Sequence, residues 1–358
     1  MSLFGNKLKI NIFGESHGKA IGVCIDGFPA GFHIDMEKLN SFMKRRMPGQ
    51  NNLSTPRKES DSVEFLSGVV NNITCGSTIC AVIKNTDQHS QDYNNLLDIP
   101  RPSHSDYPAY IKFGGNNDIR GGGNFSGRLT APLCIAGGLC MQYLNKKNIY
   151  IGAHISSVHG TYDDMFDKVK VSEKDFVGTK NFPVINDEKG EIMIKEILNA
   201  KSDGDSVGGT IECAIIGMPT GYGNSLFDGV DGMLAAALFG IPAVKGVEFG
   251  SGFNGTELYG SENNDEFYFD DDIVKTKTNN HGGILGGITS SMPIIFNVAI
   301  KPTPSIAKEQ NSISISKKEN VKFKVTGRHD PCIVQRAVPC IEAASAICMT
   351  DIILRGEI

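Results

Sequence analysis

The sequence predicts an α+β fold, a layered sandwich within one large domain spanning residues 1–358, and three observations lead there. Segments with the period-two pattern of strands and segments with the 3.6-residue pattern of helices both occur, but they do not alternate as regular βαβ units, which disfavours a doubly wound parallel sheet. Of the 358 residues, 40% are hydrophobic and 21% charged, which suits a soluble protein with a sizeable core. No residue-level repeat and no low-complexity linker divides the chain.

The elements follow in order. LKINIF (8–13) alternates apolar and polar residues and predicts a strand. AIGVCIDGFPAG (20–31) reads as a second strand running into a Gly/Pro turn. Asp35 caps a helix over MEKLNSFMKRRM, with Met36, Leu39, Phe42 and Met43 on one side, and Pro48-Gly49 stops it. Strands are expected near 62–70 and 77–84. Residues 85–128 are polar and rich in Gly, Pro, Asn and Asp; so long a stretch without periodicity reads as a functional loop. TAPLCIAGGLCMQYL (130–144) is apolar nearly all round and predicts a buried helix that tolerates Pro132 in its first turn. Strands are expected at 149–158 and 207–216, and helices at 191–201 and 229–239. GGILGG (282–287) leads into a strong strand, MPIIFNVAI (292–300). A helix from about 333 to 355 closes the chain, kinked or restarted by Pro339.

Composition narrows the function. A net charge of −5 supplies no broad basic field for nucleic acid or an anionic membrane. Nine cysteines include no C-x-x-C and no zinc spacing, so reduced, mostly buried thiols and no metal are expected. MSLFGNKLKI lacks a signal-peptide core, and no run of about 18 apolar residues occurs, which points to the cytoplasm. Arginine is scarce and placed unevenly. Arg45, Arg46, Arg57, Arg101, Arg120 and Arg128 precede residue 129, Arg328, Arg336 and Arg355 follow residue 327, and none lies between. Most fall in Gly-, Pro- and His-rich segments, where a planar fork suits carboxylate or phosphate.

Gly14-Glu15-Ser16-His17-Gly18 matches the G-x-S-x-G of a hydrolase nucleophile elbow. An elbow needs a helix after the serine, whereas a second predicted strand follows, so a hairpin loop is expected. Serine hydrolysis by Ser16, with His329 and Asp330 in the right chain order, stays open as an alternative. PRPSHSDY (100–107) sets Arg101, His104 and Asp106 in one loop: the arginine holds a departing anion, the imidazole supplies its proton, and Asp106 orients the ring or raises its pKa. RGGGNFSGR (120–128) opens the apolar helix and makes a phosphate cradle, without the Gly-Lys-Ser/Thr of a Walker motif. GRHDPC (327–332) joins Arg328, His329 and Asp330, and KPTPSI (301–306) places Lys301, Thr303 and Ser305 after a strand. The set asks for a multiply anionic ligand, an acid catalyst and a phosphorylated cofactor; a non-catalytic flavin- or phosphate-binding module is the second alternative.

FGESHG, RRMPGQNNLSTPRKESD (45–61), NTDQHSQDY (85–93), RPSHSDY, RGGGNFSGR, AVKGVEFGSGF (243–253), GGILGGITS, KPTPSI and GRHDPC together resemble the chorismate synthase family, in its order and over nearly the whole chain. The resemblance implies a β-α-β sandwich with helices between antiparallel sheets. It implies a lyase of the shikimate pathway that converts enolpyruvylshikimate phosphate to chorismate with reduced FMN and no net redox change. It also implies a homotetramer, with NADPH or another external reductant needed only to reduce the flavin. By the same resemblance Arg46, Arg101, Arg128 and Arg328 bind substrate, His104 protonates the departing phosphate, and His17 manages a proton on the reduced flavin with Ser16 as relay. Asp330 and Ser126 assist catalysis. Asn124, Phe125, Ser126, Pro242, Ala243, Gly286, Lys301, Pro302, Thr303, Pro304, Ser305 and Arg328 contact the flavin. The chain departs from the common family pattern at Ser103 and Ser105, where R-P-G-H-A-D is usual, and at Asn124, Phe125, Gly127 and Leu129, where G-G-G-R-S-S-A-R-E-T is usual. Met47 and Asn52 also stand where arginines are usual.

Overall fold

The computed structural model describes residues 3–49, 53, 61–85, 98–325 and 330–356. The alternating segments pair into two five-stranded antiparallel sheets. The first contains β1 (Leu3–Phe4), β2 (Lys9–Gly14), β3 (Ala20–Asp26), β4 (Glu64–Ser67) and β5 (Ile79–Lys84), in the order β1-β2-β3-β5-β4. The second contains β6 (Tyr150–Val158), β7 (Thr161–Tyr162), β8 (Gly209–Ile216), β9 (Val244–Phe249) and β10 (Ile294–Ile300), in the order β9-β10-β8-β6-β7. The predicted strand near 62–70 is broken at Gly68, whose φ of +80° and close packing on Ile79 turn the chain.

Among the described residues, six helices of eight or more residues complete the frame: α1 (Met36–Arg46), α2 (Asp106–Phe113), α3 (Thr130–Asn145), α4 (Asp187–Ser202), α5 (Val230–Phe239) and α6 (Val334–Arg355). Asp35 caps α1 as expected, its carboxylate accepting from the Lys38 N–H at 3.0 Å. α3 and α6 pack on each other between the sheets, with α3 against β3 and α6 against β6. They approach so closely that a Cβ on Gly137 would sit 2.3 Å from the Ala343 Cβ. Gly138 does the same for α1, since a Cβ there would reach 2.7 Å from Leu39.

α6 has the length and mean hydropathy, 1.7, of a membrane span, but 89% of that window is buried inside the protein. It runs as one helix through Pro339 and does not restart there. An interior proline costs about 3 kcal/mol, and burial of nearly every residue from Val334 to Ile352 more than offsets it. Two buried carboxylates on α6 fasten the layers. Glu342 takes both guanidinium ends of Arg45, at 2.6 and 2.9 Å, and the Ala153 N–H. Asp351 accepts the backbone N–H groups of Asn6, Lys7 and Leu8.

Among the elements that escaped the sequence reading, α2 and β9 bear on the site. α2 lies inside the predicted loop 85–128, of which residues 86–97 are outside the described residues. It is only eight residues long, carries Pro108 in its first turn, and ends at Gly114 in a left-handed conformation. β9 spans a motif whose two valines give little alternation, and it forms because β10 offers it a ladder.

The helix contact makes a stability prediction. Gly137→Val is expected to destabilise the protein by about 1–3 kcal/mol through overpacking. Gly232→Ala, in α5 with no atom within 4 Å of the new methyl, should stabilise by about 0.5–1 kcal/mol. Urea melts of the two variants, read by far-ultraviolet circular dichroism, check both signs.

Candidate active site

The ends of α1, α3, α5, α6 and β10 converge on a cavity of about 590 Å³. The last turn of α1 divides two adjacent arginines. Arg45 turns away to Glu342, while Arg46 faces the cavity and is almost fully buried. Asp61 meets it there. Its carboxylate accepts from Arg46 Nη2 at 3.0 Å and from Arg128 Nη1, so one buried anion holds two cavity-lining cations. Arg46 Nη1 also reaches the Thr130 hydroxyl at 3.3 Å, which ties α1 to the first turn of α3.

Arg101, His104 and Asp106 are brought together as the PRPSHSDY loop suggested. Asp106 holds Arg101 through Nε and Nη2, both at 2.8 Å, and accepts from His104 Nδ1 at 2.6 Å. Arg101 Nη1 donates to Ser305 Oγ at 3.1 Å, joining this loop to the stretch after β10. With Nδ1 engaged, His104 turns Nε2 toward Gly122, where an added Cβ would lie 3.4 Å away. The electrostatics differ from the sequence expectation. Asp106 orients the ring but does not raise its pKa overall. Burial pushes His104 down, the Arg101 and Lys301 charges add to that, and the Asp106 hydrogen bond offsets only part of it. Asp106 itself is held well below the usual carboxylate range: burial opposes ionisation, but the bonds from Arg101 and His104 win.

The hairpin between β2 and β3 settles the elbow question. Residues 15–19 form a turn between two strands, so Ser16 is not followed by a helix. Ser16 and His17 are buried behind the glycine loop and do not line the cavity. Gly121, Gly122 and Gly123 all adopt positive φ. A Cβ on Gly121 would strike His17 Nδ1 at 2.3 Å and Ser16 Oγ at 2.6 Å. The loop therefore threads between the two histidines, with His17 against Gly121 and His104 against Gly122. Ser16 Oγ is buried and has no hydrogen-bond partner among the described residues. Asn124, Phe125 and Ser126 then line the cavity, and Ser126 Oγ caps the next turn by accepting from the Arg128 N–H at 3.3 Å.

The opposite wall carries Pro242, Ala243, Lys301, Thr303, Pro304 and Ser305. Thr303 Oγ1 is buried there without a hydrogen-bond partner among the described residues. Asp330 lines the floor and accepts from Arg336 Nη1 at 2.6 Å. Arg328, His329 and Asn52 lie outside the described residues. Pro302 is not in the lining, and Gly286 sits apart from it, in the turn between the short strands Ile284–Leu285 and Ile288–Thr289.

The sequence reading assigned no site role to Asp61, Lys245 or Arg336. Arg336 belongs to the uneven arginine distribution, Asp61 closes one quoted motif and Lys245 lies near the start of another. Six cationic side chains line the cavity, against three carboxylates in or behind its wall. That excess suits a small polyanion. Asp61, Ser103 and Ala243 are non-glycine residues with φ of 37°, 58° and 75°, backbone strain that clusters at functional sites.

Comparison with known proteins converges on one family. The family model described as chorismate synthase matches residues 8–354. The chain is 42% identical over 354 residues to the chorismate synthase of Korarchaeum cryptofilum, covering 99% of this chain and 98% of that one. It is 42% identical to the chorismate synthase of Methanocaldococcus jannaschii, covering 99% and 97%. A crystal structure of chorismate synthase superposes with a TM-score of 0.76 at 27% identity, covering 98% of this chain and 93% of that chain.

The Asp61 bridge is directly testable. Asp61→Ala leaves two buried guanidiniums without their shared anion, and breaking such a pair is expected to cost about 3–5 kcal/mol. Millimolar inorganic phosphate should recover part of that loss by occupying the cradle. Urea denaturation with and without phosphate measures both effects, and an unchanged midpoint for Asp61→Ala would count against the bridge.

Proposed function

The chain belongs to the chorismate synthase family, and on that premise we propose that this cavity catalyses loss of phosphate and a ring hydrogen from 5-enolpyruvylshikimate 3-phosphate. In reaction class this is a carbon–oxygen lyase acting on a phosphate ester. The observation that carries the assignment is the cluster of six cations around a buried imidazole. The substrate bears two carboxylates and a phosphate, and Arg46, Arg101 and Arg128 match them by charge and by the planar fork. Arg328 is assigned to the same role from the family pattern.

His104 is the proposed acid. In the empty site it is neutral near pH 7, because burial and two neighbouring cations depress its pKa. A bound phosphate adds negative charge beside the ring and drives the pKa up, so the anion brings the proton that its departure needs. Asp106, on Nδ1, stabilises the imidazolium and fixes the ring with Nε2 toward Gly122. Arg101 and Lys301 then face the charge that develops on the leaving oxygen.

The residues also fit a flavin mononucleotide. Thr303 offers a buried hydroxyl with unmet hydrogen-bonding capacity, and Ile241, Pro242, Ala243 and Val244 form an apolar wall. Asn124, Phe125, Ser126 and Lys301–Ser305 would hold it. Bound there, reduced FMN supplies transient electron donation that lets a weakly acidic ring hydrogen leave. His17, behind Gly121, is assigned to holding a proton on that side, with Ser16 as relay, and Asp330 to receiving the ring proton at the other. Asn124 lacks the charge of the usual arginine, so more of the phosphate contact falls to Lys301 and Ser305. An external donor such as NADPH is assigned to flavin reduction.

A homotetramer is the proposed assembly. Phe227 and Phe253 are 96% and 80% exposed, and Phe269 is nearly as open, which suits surfaces that another subunit covers.

Two measurements test the reading. In an anaerobic assay with reduced FMN and an oxidised-FMN control, His104→Ala should lose turnover by about 10²–10⁴-fold. Wild-type protein that binds flavin yet releases no phosphate would sink the lyase assignment. Nitrogen-15 NMR should place His104 below its ordinary pKa in the free protein and move it upward when substrate binds. Substrate affinity should then be fully present below the free-protein pKa and be lost as pH rises through the liganded pKa; an unmoved titration would remove His104 from the acid role.

A further inference from the structure

Cys134 on α3 and Cys340 on α6 face each other one turn before the tight Gly137–Ala343 contact. Their sulfurs are 4.0 Å apart. Cys340 forms part of the cavity wall, between Arg46 and the first turn of α6, whereas Cys134 lies behind it in the core. From this placement we propose that Cys134 and Cys340 form an oxidation site for hydroperoxides, closing reversibly to a disulfide that distorts the polyanion cradle.

The two thiols are chemically unequal. Cys340 receives a hydrogen bond from the Cys134 thiol and stands near Arg46, the Thr130 hydroxyl and Arg336, which outweigh its burial and bring it down to about 7. Burial pushes Cys134 well up. The other buried thiols, Cys140, Cys213, Cys332 and Cys348, all move up as well, Cys140 and Cys332 to about 12. Cys340 is therefore the more readily ionised of the two, and it is the one in the cavity wall. Cys340 is thus the attacking sulfur and Cys134 the resolving one.

The steps balance. The Cys340 thiolate attacks one peroxide oxygen, the O–O bond breaks, and hydroxide leaves; the sulfur becomes a sulfenic acid, oxidised by two electrons. The Cys134 sulfur then attacks it. The S–S bond forms, the S–O bond breaks, and the hydroxyl departs as water with the Cys134 proton. Peroxide arises where dioxygen meets reduced flavin, and for that source alone the site rests on the proposed cofactor.

The bond must draw the sulfurs from 4.0 Å to about 2.05 Å. One turn further on, α3 and α6 already touch at Gly137 and Ala343 and cannot close up. The contraction therefore pivots their N-terminal turns, which carry Thr130 and Arg336, and Arg46 is hydrogen-bonded to Thr130.

The test uses full-length, flavin-free protein and hydrogen peroxide. Non-reducing peptide mass spectrometry should show a Cys134–Cys340 cross-link, with loss of two hydrogens, that dithiothreitol reverses. Cys134→Ser keeps a donor but no resolving sulfur, so it should stop at a Cys340 sulfenic acid that dimedone traps. Calorimetric binding of 5-enolpyruvylshikimate 3-phosphate should weaken about tenfold or more in the oxidised wild type, the scale of an ångström misplacement in a fitted site, and not in oxidised Cys134→Ser. Oxidation of exposed Cys75 without the cross-link would overturn the proposal, as would a cross-linked protein that binds substrate normally. Failure of untreated protein to bind substrate would instead strike the functional reading, since the cross-link is read without ligand.

Discussion

The contact between α3 and α6 is the constraint on which the rest of the molecule depends. Two mostly apolar helices can share the space between two sheets only if their backbones come close, and Gly137 against Ala343 allows it. That approach makes α6 an interior element on nearly every side. Its polar residues then act as fasteners between layers, Glu342 to Arg45 and β6, Asp351 to the turn before β2. Burial so extensive also explains why the helix survives Pro339.

The cavity inherits its rigidity from the same layer. The first turns of α3 and α6 and the last turn of α1 end side by side, and their terminal residues become its wall. Packing arginines together in such a place is unfavourable unless anions intervene. Asp61, Asp106 and Asp330 do so, each accepting from at least one guanidinium. The cradle remains net cationic, so the missing negative charge is left for the ligand to provide. Positive φ at Asp61, Ser103 and Ala243 is part of the cost of aiming these groups. Ser103 stands where the family pattern has glycine, and the backbone keeps the glycine-like conformation all the same.

His104 shows how such a site handles a proton. Its partner Asp106 alone would favour the imidazolium, but burial and cations favour the neutral ring. The balance favours the neutral ring in the free protein, so the acid role proposed for it requires an arriving anion to reverse that direction. The glycine loop separates it from His17, so two imidazoles face successive glycines without sharing one environment.

Local chemistry was legible from the residues alone. The Asp35 cap, the hairpin around Ser16 and the apolar stretch of α3 each depend on neighbours a few positions away, and each stands as read. The uneven arginines and the ordered motifs likewise identified a polyanion site and the family. Other features depend on residues far apart in sequence. β9 is held by a ladder to β10. Asp61 gains its importance only where α1 and the turn before α3 meet, Gly286 falls outside the cavity, and the pKa direction at His104 is set first by its burial in the folded protein. The sequence by itself determined most of the long elements and the family, because periodicity, capping and composition are short-range or additive. Only the tertiary structure decided which arginines face the cavity, which carboxylate joins them and which thiol abuts them, because each is a distance between segments that the chain order does not contain.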